Sequence, residues 1–107
     1  MERYDVLMCP TLGEPPPPLG HLRTDHPFET AFSRLVSFTP FTATANSAGA
    51  PAISLPLGRS ADGLPIGVQF AAAHERDALL LELAFTIEEA RPWQRLAPRD
   101  RWVNFKK

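Results

Sequence analysis

The spacing of apolar residues changes several times along the chain, and each change marks an element. "YDVLMC" (Tyr4 to Cys9) is apolar on both sides after Asp5. Such a run predicts a strand buried on both faces, as inside an α/β sheet. "DHPFETAFSRLVSF" shifts to helical spacing, with Phe28, Phe32 and Leu35 or Val36 on one stripe. Asp25 is its expected cap, Pro27 suits the first turn, and Glu29 stands near the positive end of the helix. "TPFTATANSAG" predicts a shorter helix of small residues, with Thr39 as N-cap, Pro40 at the first helical position and Gly49 as the stop. "PAISLPLG" and "LPIGVQFAAA" follow as strands. In the second, Ile66, Val68 and Phe70 alternate with Gly67, Gln69 and Ala71. The small residues of that second set imply that another element lies close over them. Asp62-Gly63 between the strands signals a hairpin. Pro56, with no N–H for the ladder, belongs at a strand end, an edge or a bulge. "ERDALLLELAFTIEEAR" is the strongest helix. Leu80, Leu83, Ala84 and Ile87 fall at i, i+3, i+4 and i+7, and Leu79 and Ala90 widen the stripe. Glu75 and Asp77 are expected in its first turn and Arg91 in its last, with Pro92 as the stop.

The resulting order is a core strand over 1–10, a Pro-rich connector over 11–20, helices over 25–49, a hairpin over 51–73, a helix over 75–91 and an irregular tail over 92–107. Pro15 to Pro18 predict an extended connector, either a stiff loop within the fold or a ligand for a Pro-binding domain. A doubly buried first strand needs strand neighbours and helices on both faces. About three strands and three helices are too few to supply them, so the chain reads as part of a larger α/β protein.

Composition narrows the function classes. At 107 residues the chain is one small domain. A formal net charge of −1 with scattered Arg gives no footprint for nucleic acid. Cys9 is the only cysteine, so no intrachain disulfide forms. No apolar run reaches the roughly 18 residues of a membrane span, and the N-terminus lacks a signal-peptide core. A cytoplasmic location is expected. His21, His26 and His74 show no metal-ligand spacing, so neither a metal nor a cofactor is expected. There is no Gly-x-Ser-x-Gly elbow, and Gly58, Gly63 and Gly67 do not form a dinucleotide loop. Cys9, with no His or Lys beside it in sequence, reads as a packing residue.

"Phe-Thr-x-x-x-Asn-x-x-Gly-x-Pro-Ala-x-Ser-x-Pro" (Phe41 to Pro56), followed by "Asp-Gly-Leu-Pro-Ile-Gly-Val-Gln" (Asp62 to Gln69), resembles the C-terminal part of the amidase signature family. "YDVLMCPTLGEPPPPLG" resembles the strand and connector that precede it there, and "DALLLELAFTIEEARPW" the helix that follows. Within the family the chain most resembles bacterial amidases similar to 6-aminohexanoate cyclic-dimer hydrolase. Ser47 stands where the family usually has an aliphatic residue, and Ala50 where a larger residue is common; both bear on the pocket shape. The resemblance implies an α/β fold, the C-terminal part of a mixed-sheet α/β/α sandwich. It also implies amide hydrolysis by a Ser nucleophile, a bridging Ser on a cis peptide and a Lys base, with both serines and an oxyanion hole carried by a Gly- and Ser-rich run in the N-terminal half. This chain has no such run, and its only lysines are Lys106 and Lys107. No catalytic residue carries over. The resemblance places the short helix near the acyl-binding pocket, with Phe41, Thr42 and Ala45 as lining and Asn46 as a hydrogen-bonding residue at the helix end.

Three readings stand at this point. The chain is the C-terminal region of an amidase, inactive alone; or a free-standing α/β module that binds a partner through open sheet edges; or a Pro-run interaction module. The first two both imply assembly, with an N-terminal amidase half or with copies of itself.

Overall fold

The computed structural model describes residues 3–93. Its elements are β1 (Val6–Pro10), α1 (Phe28–Phe38), α2 (Thr42–Ala48), β2 (Ala52–Arg59), β3 (Pro65–Ala72) and α3 (Asp77–Ala90). The strands form one antiparallel sheet in the order β1-β3-β2, so β3 is central.

The β2–β3 hairpin is closed by residues 60–64 around Gly63, rather than by a two-residue turn. The Gly63 N–H donates to the Ser60 carbonyl at 2.9 Å, and the Ser60 N–H donates to the Leu64 carbonyl at 2.8 Å. The Ser60 hydroxyl accepts from the Leu64 N–H at 3.1 Å. Gly63 has φ 81, a left-handed conformation that only glycine adopts without steric cost. The β2–β3 register shifts between Leu55 and Gly58, so Pro56 falls in the irregular stretch of a marginal strand, where its missing N–H breaks no ladder.

α3 covers one face of the sheet. Leu80 is buried against Leu55, Phe70 and Ala72, and Leu79, Leu83, Ala84 and Ile87 pack around them. The expected stripe is therefore the packing face, except that Ala90 is exposed. The charges around the helix fall differently. Only Asp77 lies in the first turn; Glu75 precedes the helix at φ 63, and Arg91 sits just past the last turn, its N–H donating to the Ile87 carbonyl at 2.8 Å. Trp93 folds back onto the core, whereas Trp102 lies outside the described residues.

α2 stands over the opposite face, above Leu7, Cys9, Gln69 and Ala71. Its C-terminus is a Schellman closure: the Ala50 N–H donates to the Ala45 carbonyl at 3.0 Å and the Gly49 N–H to the Asn46 carbonyl at 3.2 Å. Gly49 supplies the left-handed residue, φ 64, that this closure requires. Thr39 does not open α2. Its N–H and hydroxyl both donate to the Leu35 carbonyl, at 2.8 and 2.9 Å, so it closes α1 instead. Asp25 does not cap α1 either; it pairs with Arg23 at 2.5 Å, and Pro27 stands at the helix start with no side-chain cap.

Two expectations of burial are not met within this chain. β1 starts at Val6 rather than Tyr4 and lies at the sheet margin, with Leu7 60% and Met8 67% exposed. The physical reason is strand order: among the described residues no strand pairs with the outer edge of β1. The α1 stripe is also uncovered. No α1 residue is buried, Phe28 is 77% exposed, and the Phe28 and Phe32 rings stack on each other at 5.5 Å. What holds α1 is polar: the Gly13 N–H donates to the Phe38 carbonyl at 3.0 Å, and Arg34 Nη1 donates to the His21 carbonyl at 3.0 Å beside His26 Nε2. The Pro-rich connector has no helix or strand. Pro15 and Pro16 lie near Pro65, Ile66 and Gly67 around one shallow pocket, and Pro17 is half-buried. That placement fits a stiff loop within the fold.

Candidate functional site: the pocket beneath α2

α2 is built from small residues, and it leaves a space between itself and the sheet. The pocket there has a volume of about 240 Å³. Its roof is Phe41, Thr44, Ala45, Ala48 and Ala50, and its floor is Leu7, Cys9, Gln69, Ala71 and Ala72. The strand register explains the floor. Leu7 stands opposite Ala71 and Cys9 opposite Gln69, so alternate residues of β1 and β3 present the same face.

The floor continues into a polar strip. Ser54 of β2 is the other neighbour of Gln69. Its hydroxyl lies 2.6 Å from the Thr11 hydroxyl, and either can be the donor. Thr11 just past the end of β1 and Ser54 of β2, on either side of β3, meet above Gly67. A Cβ at Gly67 would lie 2.7 Å from Thr11 Oγ1 and 2.9 Å from Ser54 Oγ. The small residues on this face of β3 thus answer to two different covers: α2 above Ala71, and a pair of hydroxyls above Gly67.

Of the residues singled out from the sequence, Phe41 and Ala45 line the pocket. Thr42 is half-buried and Asn46 is exposed, and neither is part of the lining. The helix-end hydrogen bond of Asn46 is made by its backbone carbonyl. Sequence reasoning missed Gln69, Cys9, Leu7 and Thr44 as lining. The signal for Gln69 was available, because the alternation of β3 places it with Gly67 and Ala71.

No His, Lys or carboxylate among the described residues is paired with either hydroxyl of the strip to act as a base. Among the described residues no group of three His, Cys, Asp or Glu side chains is arranged to hold a metal ion, and no helix is long and apolar enough to cross a membrane. The pocket is, among the described residues, a wall without a nucleophile–base pair of its own.

Comparison with known proteins gives this wall a context. The family model described as Amidase matches residues 1–81. AmiC of Mycobacterium tuberculosis is 52% identical over 94 residues, covering 87% of this chain and 20% of that protein. The 6-aminohexanoate-cyclic-dimer hydrolase of Paenarthrobacter ureafaciens is 42% identical over 102 residues, covering 90% of this chain and 21% of the hydrolase. A solved structure of 6-aminohexanoate cyclic dimer hydrolase complexed with substrate superposes with a TM-score of 0.77 at 41% identity, over 90% of this chain and 21% of that one. The chain therefore spans about a fifth of the length of the relatives it matches. With the strands, the hairpin and the first turn of α3 inside the matched segment, the chain has the α/β fold of the amidase signature enzymes and belongs to the amidase family.

Proposed function

We propose that the chain is the C-terminal region of an amidase that hydrolyses carbon–nitrogen amide bonds, and that it has no hydrolytic activity alone. The observation that carries this reading is the family match over residues 1–81, in a chain whose only lysines are Lys106 and Lys107. Amide hydrolysis needs a nucleophile held beside a base. The closest approach to one among the described residues, the Thr11–Ser54 pair, has no base from those residues attached. On this reading the nucleophile, the bridging Ser and the Lys come from the part of the enzyme that precedes this chain. The chain contributes the sheet floor and α2, with Phe41, Thr42, Ala45 and Asn46 proposed on the acyl side of the site. No cofactor, nucleic acid or membrane enters the scheme. The N-terminal remainder of the amidase is the proposed partner, and the setting is cytoplasmic.

A second reading, a free-standing module that self-associates or binds a partner through an open sheet edge, is favoured by the exposure of Leu7 and Met8 on the marginal strand. One experiment separates the two. The chain is assayed alone and after joining to the preceding portion of a family member, against a panel of anilides and linear and cyclic amides. Turnover only in the joined protein is expected. Turnover by the chain alone that is lost in Ser47→Ala would overturn the amidase-region reading, as would a joined protein that folds but stays inactive.

A further inference from the structure

A single nitrogen of His26, just ahead of α1, faces two groups with opposite demands. Its Nε2 lies 3.1 Å from the Gly20 carbonyl and 3.1 Å from Arg34 Nη1. The carbonyl only accepts and the guanidinium only donates, whereas an imidazole nitrogen donates when protonated and accepts when not. Nε2 therefore serves one of the two at a time. With the ring proton on Nδ1 alone, it accepts from Arg34. Once the imidazolium forms, it donates to Gly20 and sets a second positive charge against the guanidinium. Neither choice strands the group left behind. The Gly20 carbonyl also accepts from the Arg23 N–H at 3.3 Å, and Arg34 Nη1 also donates to the His21 carbonyl at 3.0 Å. His26 and Arg34 are both half-buried, so solvent screens their contact only in part.

We propose that His26 is a proton-controlled latch on α1: neutral, it accepts from Arg34 and ties the helix to the loop over 20–26; protonated, it turns to the Gly20 carbonyl and lets Arg34 go. Histidine is the side chain suited to such a role, because its charge changes between about pH 5 and pH 8. The consequence falls on α1 because that helix has little else to hold it. None of its residues is buried, and its described hydrogen bonds to the preceding loops are those of Arg34 and the Gly13–Phe38 link at its far end. The other titratable or charged groups of the loop and of the first turn of α1 are His21, Arg23, Asp25 and Glu29. Arg23 and Asp25 pair with each other, and among the described residues none of the four makes a side-chain bond to the imidazole. Arg34 is thus the charged group that the proton on His26 meets. Release loosens the helix that carries the Phe28–Phe32 stack, while the sheet and α3, which share no bond with this loop, keep their packing.

The test follows amide hydrogen exchange and the His26 ring ¹⁵N resonances of the chain at about pH 8 and about pH 5.5. Exchange is expressed as protection, which removes the intrinsic pH dependence of the chemistry. Expected at the higher pH is an Nε2 without a proton, and at the lower pH an Nε2 that carries one. Protection of the α1 amides should fall roughly two- to tenfold between the two, the value of one ordinary hydrogen bond, while α3 amides, the internal reference, hold theirs. His26→Gln presents a carbonyl oxygen and an NH₂ group together, so it can serve Arg34 and Gly20 at once. It should keep α1 protected at both pH values. The ring ¹⁵N measurement on the unaltered chain needs no variant. Four results would each overturn the latch: a proton on Nε2 at the higher pH, an α1 protection that does not change, an equal loss in α1 and α3, or a pH response that persists in His26→Gln.

Discussion

Gly67 shows how a single hydrogen atom in place of a side chain organises this sheet. Its missing Cβ is the space in which Thr11 and Ser54 meet, tying the segment that leaves β1 to β2 across β3. Gly67→Ala places a methyl within 3.0 Å of both hydroxyl oxygens, so the pair must separate or the strands must shift. A loss of about 1–3 kcal/mol is expected from the overlap together with the broken bond. The mechanism is separable by a double-mutant cycle. In a Ser54→Ala background the same glycine change should cost distinctly less, because one of the two clashing atoms is gone; equal costs in both backgrounds, measured by urea unfolding, would show that the hydroxyl pair is not the cause. The alternation of β3 makes it visible from sequence that Gly67 and Gln69 share a face. The identity of the cover is not visible there, since Thr11 and Ser54 are 43 residues apart and meet only through strand order.

At the scale of elements, what the sequence discloses depends on whether the partner of each pattern lies within the chain. The hairpin is legible because Gly63 and the two alternating runs are local, and β2 and β3 pair antiparallel as their pattern indicates. The α3 stripe is legible because its target, the Leu55–Phe70–Ala72 face, is also present. Helix starts are less legible. Asp25 and Thr39 have the chemistry of N-caps, yet Arg23 and the Leu35 carbonyl are nearer competitors for them. The Phe41 and Ala45 lining follows from α2 lying above the sheet, whereas Thr42 and Asn46 turn elsewhere on the same helix. α3 is the element on which the isolated chain depends. Leu80→Ala opens a cavity at the one well-packed contact between helix and sheet, with an expected loss of about 2–5 kcal/mol. That is a large share of the stability of a small domain. The expected readout is a folded fraction that falls well below that of the parent in thermal and urea melts at every protein concentration. A melt indistinguishable from the parent would mean that α3 does not anchor the fold.

The whole molecule has apolar surface without apolar cover. Only five described residues are buried, whereas Phe28, Phe32, Leu35 and Val36 of α1, Leu7 and Met8 of β1, and Leu81 and Phe85 of α3 are all exposed. Covering even 400 Å² of such surface is worth about 10 kcal/mol at about 25 cal/mol per Å², before the cost of association is subtracted. A patch of that size already marks an interaction site. The relatives are about five times longer than this chain, so in a complete amidase these faces have protein available to cover them; in the chain alone, only another copy is available. Self-association at low micromolar concentration is therefore expected, with a urea midpoint that rises with protein concentration. The α1 stripe offers the cleanest probe, because α1 contributes no buried residue to the core. Phe28→Ser combined with Phe32→Ser should reduce the associated fraction in sedimentation while leaving the monomer's midpoint at high dilution nearly unchanged. This pattern is the opposite of that for Leu80→Ala, which lowers the midpoint at any concentration. A compact monomer whose midpoint is independent of concentration would mean that the chain closes its own core, and would favour the free-standing module over the amidase region.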